Sequence, residues 1–354
     1  MSNRTATIGL IALFIMFAAV LAAFYASAFR ARELAHSLVG TEPSGQPASA
    51  GYRITLIAQE ADNPFWQEVK RGAGDAAKQL GMTLEYTGPG RIDASEQARL
   101  LAKAIAAKSD AVIIQGLNDT AYRALIDDAV SRGIGVITVD ADEPDSQREA
   151  YVGTDNRKAG QQMGTLIAEE TGGAGQVGVL IGSSSINQQL RLAGLRDVTD
   201  RYPRLQIVDI RTTGNSRLRA VEQTTDMLSS HPGLDAIVGF SALDGPGMAE
   251  AVRRAEQTKP ETPADAKHGN TLRSPDIVLY AFDDLPGTRE AIEQCTIRGT
   301  IVQQPYEMGF QAVLQLQQHG SAATSATESP SKTAEHFTSA SLVTAHTLGL
   351  PECP

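Results

Sequence analysis

From Tyr52 onward, short aliphatic and β-branched runs alternate with amphipathic stretches of 11–17 residues, and several of the short runs end on Asp or Gln. This alternation constrains the fold more than any other feature. Strands separated by helix-length crossovers pair in parallel, and the helices then cover both faces of the sheet. The pattern predicts strands over 54–58, 82–87, 111–115 and 134–140, with helices over 64–80, 95–107 and 119–132. A second series predicts strands over 176–182, 206–210, 235–240, 277–283 and 298–303. Its helices fall near 156–170, 188–201, 216–230, 247–257, 286–294 and 305–318. An internal echo links the two series: Asp110-Ala111-Val112-Ile113-Ile114 and Asp235-Ala236-Ile237-Val238-Gly239 stand about 125 residues apart. Each precedes a loop, a helix and a strand ending on an aspartate, Asp140 or Asp283, which points to two similar lobes. The segments 258–275 and 320–335 have the composition of surface loops.

Residues 8–29 form a run of 22 positions without a charge, nearly all of them apolar. A helix of that length matches a ~30 Å hydrocarbon core and exceeds the apolar part of a cleaved signal, about 7–15 residues. The Ala26-Ser27-Ala28 triplet has the form of a cleavage site, so a retained anchor is favoured with cleavage as the alternative. Residues 37–51, rich in Pro, Ser, Gly and Ala, read as a flexible tether. Residues 1–51 hold three Arg and two Glu, so the formal −10 of the whole chain becomes −11 for the remainder, 28 basic against 39 acidic residues. That balance argues against nucleic acid as a partner, because phosphate binding needs a basic face. The only two cysteines, Cys295 and Cys353, exclude a disulfide-dense scaffold; one bond between them and two free thiols are the open alternatives.

Enzyme motifs fail on context. The Gly173-Ala174-Gly175-Gln176-Val177-Gly178 segment fits GxGxxG, but a helix precedes it and a strand follows, the reverse of a dinucleotide site. The Ser183-Ser184-Ser185 cluster lacks the GxSxG elbow of a nucleophile. The six His form no i, i+4 pair. No catalytic group, metal or cofactor is expected.

In parallel α/β sheets ligands bind beyond the carboxyl ends of the strands. Asn63, Phe65 and Trp66 follow the first strand, with Pro64 suited to a helix start. Aromatic rings beside amide groups suit the apolar face of a sugar, and burial of both rings in the core is the alternative. Gln115, Asp140, Asp283 and Gln303 end other strands, and planar side chains of this kind pair with vicinal hydroxyls.

At NPFW (63–66), the VD ending at Asp140, GTDN (153–156), AFDD (281–284) and TIVQQPYEMG (300–309), the chain resembles the extracytoplasmic sugar-binding proteins related to ribose-binding protein. The resemblance spans roughly residues 52–345. It implies an α/β fold of the periplasmic binding protein type I class, two Rossmann-like lobes with parallel sheets joined by a three-segment hinge, here preceded by a transmembrane helix. The implied division is a cytoplasmic 1–7, an anchor or uncleaved signal at 8–29, a linker at 30–51, an N-terminal lobe of 52–154 plus 304–336, and a C-terminal lobe of 155–303 plus 337–354. It implies sugar contacts at Asn63, Phe65, Trp66, Gln115, Asp140, Gln189, Asn215, Ser241, Asp283 and Gln303. Two family arginines are replaced, by Ala141 and, in the second lobe, by Gln189, with Arg191 two residues on. The expected function is capture of a monosaccharide or polyol and its presentation to an ABC-type permease, from an extracytoplasmic position on the cell membrane. A sensor working through a membrane histidine kinase is the alternative, and a carbohydrate-active enzyme a weaker one.

Overall fold

A computed structural model describes residues 51–257, 277–322 and 334–353. The expected anchor at 8–29 lies outside them, as do residues 30–50, 258–275 and 323–333. Among the described residues no helix is long and apolar enough to cross a membrane.

The chain forms two six-stranded sheets. The first is built from β1 (Arg53–Ile57), β2 (Thr83–Thr87), β3 (Ala111–Ile114), β4 (Gly135–Val139), β5 (Ala150–Thr154) and β11 (Ala334–Thr338), in the order β11-β5-β4-β3-β1-β2. All its pairs are parallel. The second holds β6 (Ala174–Ile181), β7 (Arg204–Thr212), β8 (Leu234–Gly239), β9 (Val278–Phe282), β10 (Gly299–Val302) and β12 (Ser341–Thr344), in the order β12-β10-β9-β8-β6-β7. Only β12 runs antiparallel, against β10. Strand for strand, β5-β4-β3-β1-β2 matches β10-β9-β8-β6-β7, so the Asp110 and Asp235 echoes occupy equivalent places. Both aspartates also do the same work: Asp110 accepts from the backbone N–H of Arg53 and Asp235 from that of Gln176, each at 2.7 Å.

The near-continuous apolar strands follow from burial on both faces. In β1, Ile54 and Leu56 face one core with α1 (Pro64–Gln79) and α9 (Pro305–Ala322). Ile57 faces the other, with α2 (Ala94–Ala106) and α3 (Thr120–Ser131). The second sheet packs likewise between α4 (Asn156–Glu170) with α5 (Ile186–Thr199), and α6 (Arg217–Ser230), α7 (Asp244–Gln257) and α8 (Pro286–Glu293). In each lobe one helix pair is held at backbone contact by glycines. A Cβ on Gly72 would stand 1.9 Å from the Tyr306 carbonyl oxygen, and one on Gly160 would stand 1.9 Å from that of Arg191.

The chain passes between the sheets after β5, after β10 and between β11 and β12. The strands β5, β11 and β12 are absent from the alternation read in the sequence, because no crossover helix separates β4 from β5 and β12 reverses direction. Helix α7 starts at Asp244, three residues earlier than its pattern, with Asp244 accepting from Thr213 Oγ1 at 2.7 Å and from the Ser241 N–H at 2.8 Å. Cys295 and Cys353 are joined in a disulfide, with Cα atoms 5.4 Å apart, which fixes the C-terminal segment against the α7–α8 core.

Candidate functional site

The loops leaving β1 to β4 face those leaving β6 to β10 across a cavity of about 170 Å³. From the first lobe come Gln59, Glu60, Asn63, Phe65, Trp66, Ile92, Gln115 and Asp140. Asn63 is the N-cap of α1: its Oδ1 accepts from the Phe65 N–H at 3.0 Å, while its Nδ2 donates to Glu60 at 3.2 Å. Pro64 then occupies the first helical turn, where no amide partner is needed. Phe65 and Trp66 meet edge to face, centroids 5.7 Å apart. Phe65 is partly exposed, whereas Trp66 is 2% exposed and belongs to the core as well as to the cavity wall.

Asp140 and Asp283 sit at equivalent strand ends, both in the left-handed region, with φ of 67° and 61°. Aspartate tolerates that conformation better than most side chains, and it turns both carboxylates into the cleft. Asp140 accepts from Gln115 Nε2 at 2.5 Å and, across the cleft, from Asn187 Nδ2 at 3.4 Å. The Tyr151 hydroxyl holds its backbone by donating to the Asp140 carbonyl at 2.9 Å. Burial pushes the Asp140 carboxyl up to about 6, against the opposing pull of the Arg191 charge and the two amide donors. Asp283 is raised in the same direction by burial, again opposed by Arg191.

Arg191 joins the second lobe to the segments that cross between the sheets. Its guanidinium stacks on Phe282, 3.4 Å from the ring centroid. It donates to Asn156 Oδ1 at 2.8 Å, to the Phe240 carbonyl at 2.5 Å and to Gln303 Oε1 at 3.2 Å. Gln303 also accepts from Thr154 Oγ1 at 3.0 Å and donates to Asp283 at 3.1 Å, so the first two interlobe crossings are tied to each other and to the site. The turn into α5 and its first residues supply Ser183, Ser185, Asn187 and Gln188; Asn215, Phe240, Ser241, Ala242 and Leu243 complete the wall. Two buried lining atoms, Gln115 Oε1 and Ser241 Oγ, have no hydrogen-bond partner in the protein. Among the described residues no cluster of His, Cys, Asp and Glu could hold a metal ion.

Nine of the residues singled out in the sequence line this cavity: Asn63, Phe65, Trp66, Gln115, Asp140, Asn215, Ser241, Asp283 and Gln303. Gln189 does not. It lies exposed on α5 and donates to the Ser184 carbonyl at 2.6 Å. The cleft positions of that helix are Asn187, Gln188 and Arg191, with Asn187 and Arg191 one turn apart on a common face. Glu60, Asn187 and Gln188 escaped the sequence reading. The SSSINQQLR run directly after β6 held the signal for the last two, since every residue there is polar except Ile186 and Leu190.

Comparison with known proteins places this geometry. The periplasmic binding protein domain family matches residues 54–323. The ribose import binding protein of Bacillus subtilis is 23% identical over 270 residues, covering 76% of this chain and 81% of the relative. A D-apiose import binding protein of Paraburkholderia graminis is 24% identical over 261 residues, covering 72% of this chain and 77% of the relative. The crystal structure of GanP, a glucose-galactose binding protein from Geobacillus stearothermophilus, superposes with a TM-score of 0.73 at 34% identity. That match covers 85% of this chain and 99% of GanP. A family match over residues 54–323, carried by a fold shared with GanP, means that the chain belongs to the periplasmic binding protein domain family.

Proposed function

We propose that this protein is a membrane-tethered extracytoplasmic solute-binding protein that captures a monosaccharide or related polyol between its lobes and presents it to an ABC-type permease. The observation that carries the reading is the cleft itself. Strand-end carboxylates and amides from both lobes converge beside the Phe65 ring, which offers paired hydrogen bonds to hydroxyls and a flat apolar wall. The ligands of the relatives, ribose and apiose for the two import binding proteins and glucose and galactose for GanP, support a sugar ligand. A ligand touching both lobes binds only where they meet, so it stabilises the closed arrangement by its differential contacts. Twelve of the lining positions, from Ser183 to Gln303, belong to the second lobe's loops or the hinge, and eight, from Gln59 to Asp140, to the first lobe. The hydrophobic run at 8–29 supports the tether.

A thermal-shift screen of the full chain against pentoses, hexoses, deoxysugars and polyols tests the proposal. A ligand at 100 times its dissociation constant adds about 2.7 kcal/mol to stability. If sugars leave the melting point unmoved while amino acids or purines raise it, the reading is wrong. Neighbouring genes for a permease and an ATPase support transport; a histidine kinase and response regulator there point to the sensor instead.

A further inference from the structure

Resting on the sugar-binding reading, we infer that the cleft is built for a cationic sugar, a monosaccharide or polyol carrying an ammonium group, in preference to its neutral parent. The cavity wall holds three carboxylates, Glu60, Asp140 and Asp283, against one cation, Arg191. Arg191 is already engaged: three of its five N–H donors go to Asn156, the Phe240 carbonyl and Gln303. Ala141, beside Asp140, contributes no charge and is fully buried.

The amides have the same bias. Asn63 donates to Glu60, Gln115 and Asn187 to Asp140, and Gln303 to Asp283. Four of the seven amide side chains lining the cavity thus spend an N–H on a cleft carboxylate. The buried Gln115 Oε1, on a residue only 3% exposed, is an acceptor with no protein partner. A hydroxyl needs to accept as well as donate, but an ammonium only donates, three times, and it also offsets the excess negative charge. Asp283 adds to the burial that raises the Asp140 carboxyl, Arg191 offsets part of this, and a second cation between the two aspartates relieves the repulsion that is left.

The test is a set of titrations of the full chain with matched pairs: D-glucosamine against D-glucose, D-galactosamine against D-galactose, and 1-amino-1-deoxy polyols against their parents. N-acetylated hexosamines serve as neutral controls. The expected result is at least tenfold tighter binding of the amine in one or more pairs, lost on N-acetylation and weakened by added salt. Neutral sugars binding as tightly as the amines in every pair would overturn this inference and leave the sugar reading standing. No binding by any amino, neutral or acidic sugar would overturn both. Asp140→Asn supplies a second readout, since it should shrink the amine-to-neutral ratio; an unchanged ratio would refute the role given to that carboxylate.

Discussion

Asp140→Asn should make the ligand-free protein more stable at neutral pH while weakening its ligand binding. The structure supplies the magnitude. Burial raises the Asp140 carboxyl from 3.8 to about 6, and each pKa unit corresponds to about 1.4 kcal/mol, so ionising it in the folded state costs on the order of 3 kcal/mol. The sign is that of a carboxylate with a raised folded pKa: its contribution is most favourable below pH 4 and is lost as pH rises through about 6. About 2 of those 3 kcal/mol disappear between pH 4.5 and 8. An asparagine escapes this loss but presents one carbonyl oxygen where the carboxylate offers two to Gln115 and Asn187, which costs about 1 kcal/mol. Arg191 keeps Asp283 as a neighbouring charge. In urea melts of the full chain, the variant is therefore expected to gain about 1–2 kcal/mol over wild type at pH 8 and to lose that advantage by pH 4.5. Its affinity for the ligand should fall at least tenfold, because the carboxylate sits in the cavity wall. A stability difference that stays flat across pH, or a variant less stable at pH 8, would refute the claim that this aspartate is held ionised at the fold's expense.

Gly160→Ala places a methyl where the Arg191 carbonyl oxygen lies 1.9 Å away, so it should destabilise by about 1–3 kcal/mol in urea melts and also reduce ligand affinity through Arg191. Gly74→Ala is its counterpart: the added Cβ meets only Leu84 Cδ2, at 3.9 Å, and should stabilise α1 by about 0.5–1 kcal/mol. Opening the Cys295–Cys353 disulfide, which closes a loop of 58 residues, should cost about 4 kcal/mol by chain entropy and leave ligand affinity unchanged, since the bond lies against the α7–α8 core. Phe65→Ala should weaken binding about tenfold with little loss of stability, because that ring is partly exposed at the cavity while Trp66 fills the core.

The parts of this fold legible in the sequence are those where one local signal suffices. Asp140 and Asp283 stood out because each ends a buried apolar strand, and both strands recur after the same Asp-Ala echo. Asn63 and Pro64 carried their roles in their chemistry, as an N-cap and a first-turn residue. Gln189 failed for a geometric reason. Position in an aligned string says nothing about helical phase, and two residues along a helix turn a side chain by about 200°, away from the face that Asn187 and Arg191 share. Trp66 was ambiguous because an aromatic at a helix start serves core and cleft alike, and this one touches both. The strands beside the interlobe crossings were hidden because their pairing is settled by chain segments far apart in sequence: β5 pairs with β11 through Ala150 and Ala334, and no local periodicity records that.

The order in which the first lobe is assembled has a consequence for how this chain is handled before it folds. Helix α9, whose backbone meets that of α1 at Gly72, and the edge strand β11 both come after the whole of the second sheet through β10. A chain emerging N-terminus first presents β1 to β5 with one flank of the α1 core, Val69 and Ala73 included, uncovered until Met308, Ala312 and Val313 arrive. The second lobe suffers less, since β6 to β10 and their helices are contiguous and only β12 is late. Any ribosome- or translocation-linked folding of this protein is thus expected to complete the second lobe's central sheet before the first lobe's core, in reverse of the order of synthesis.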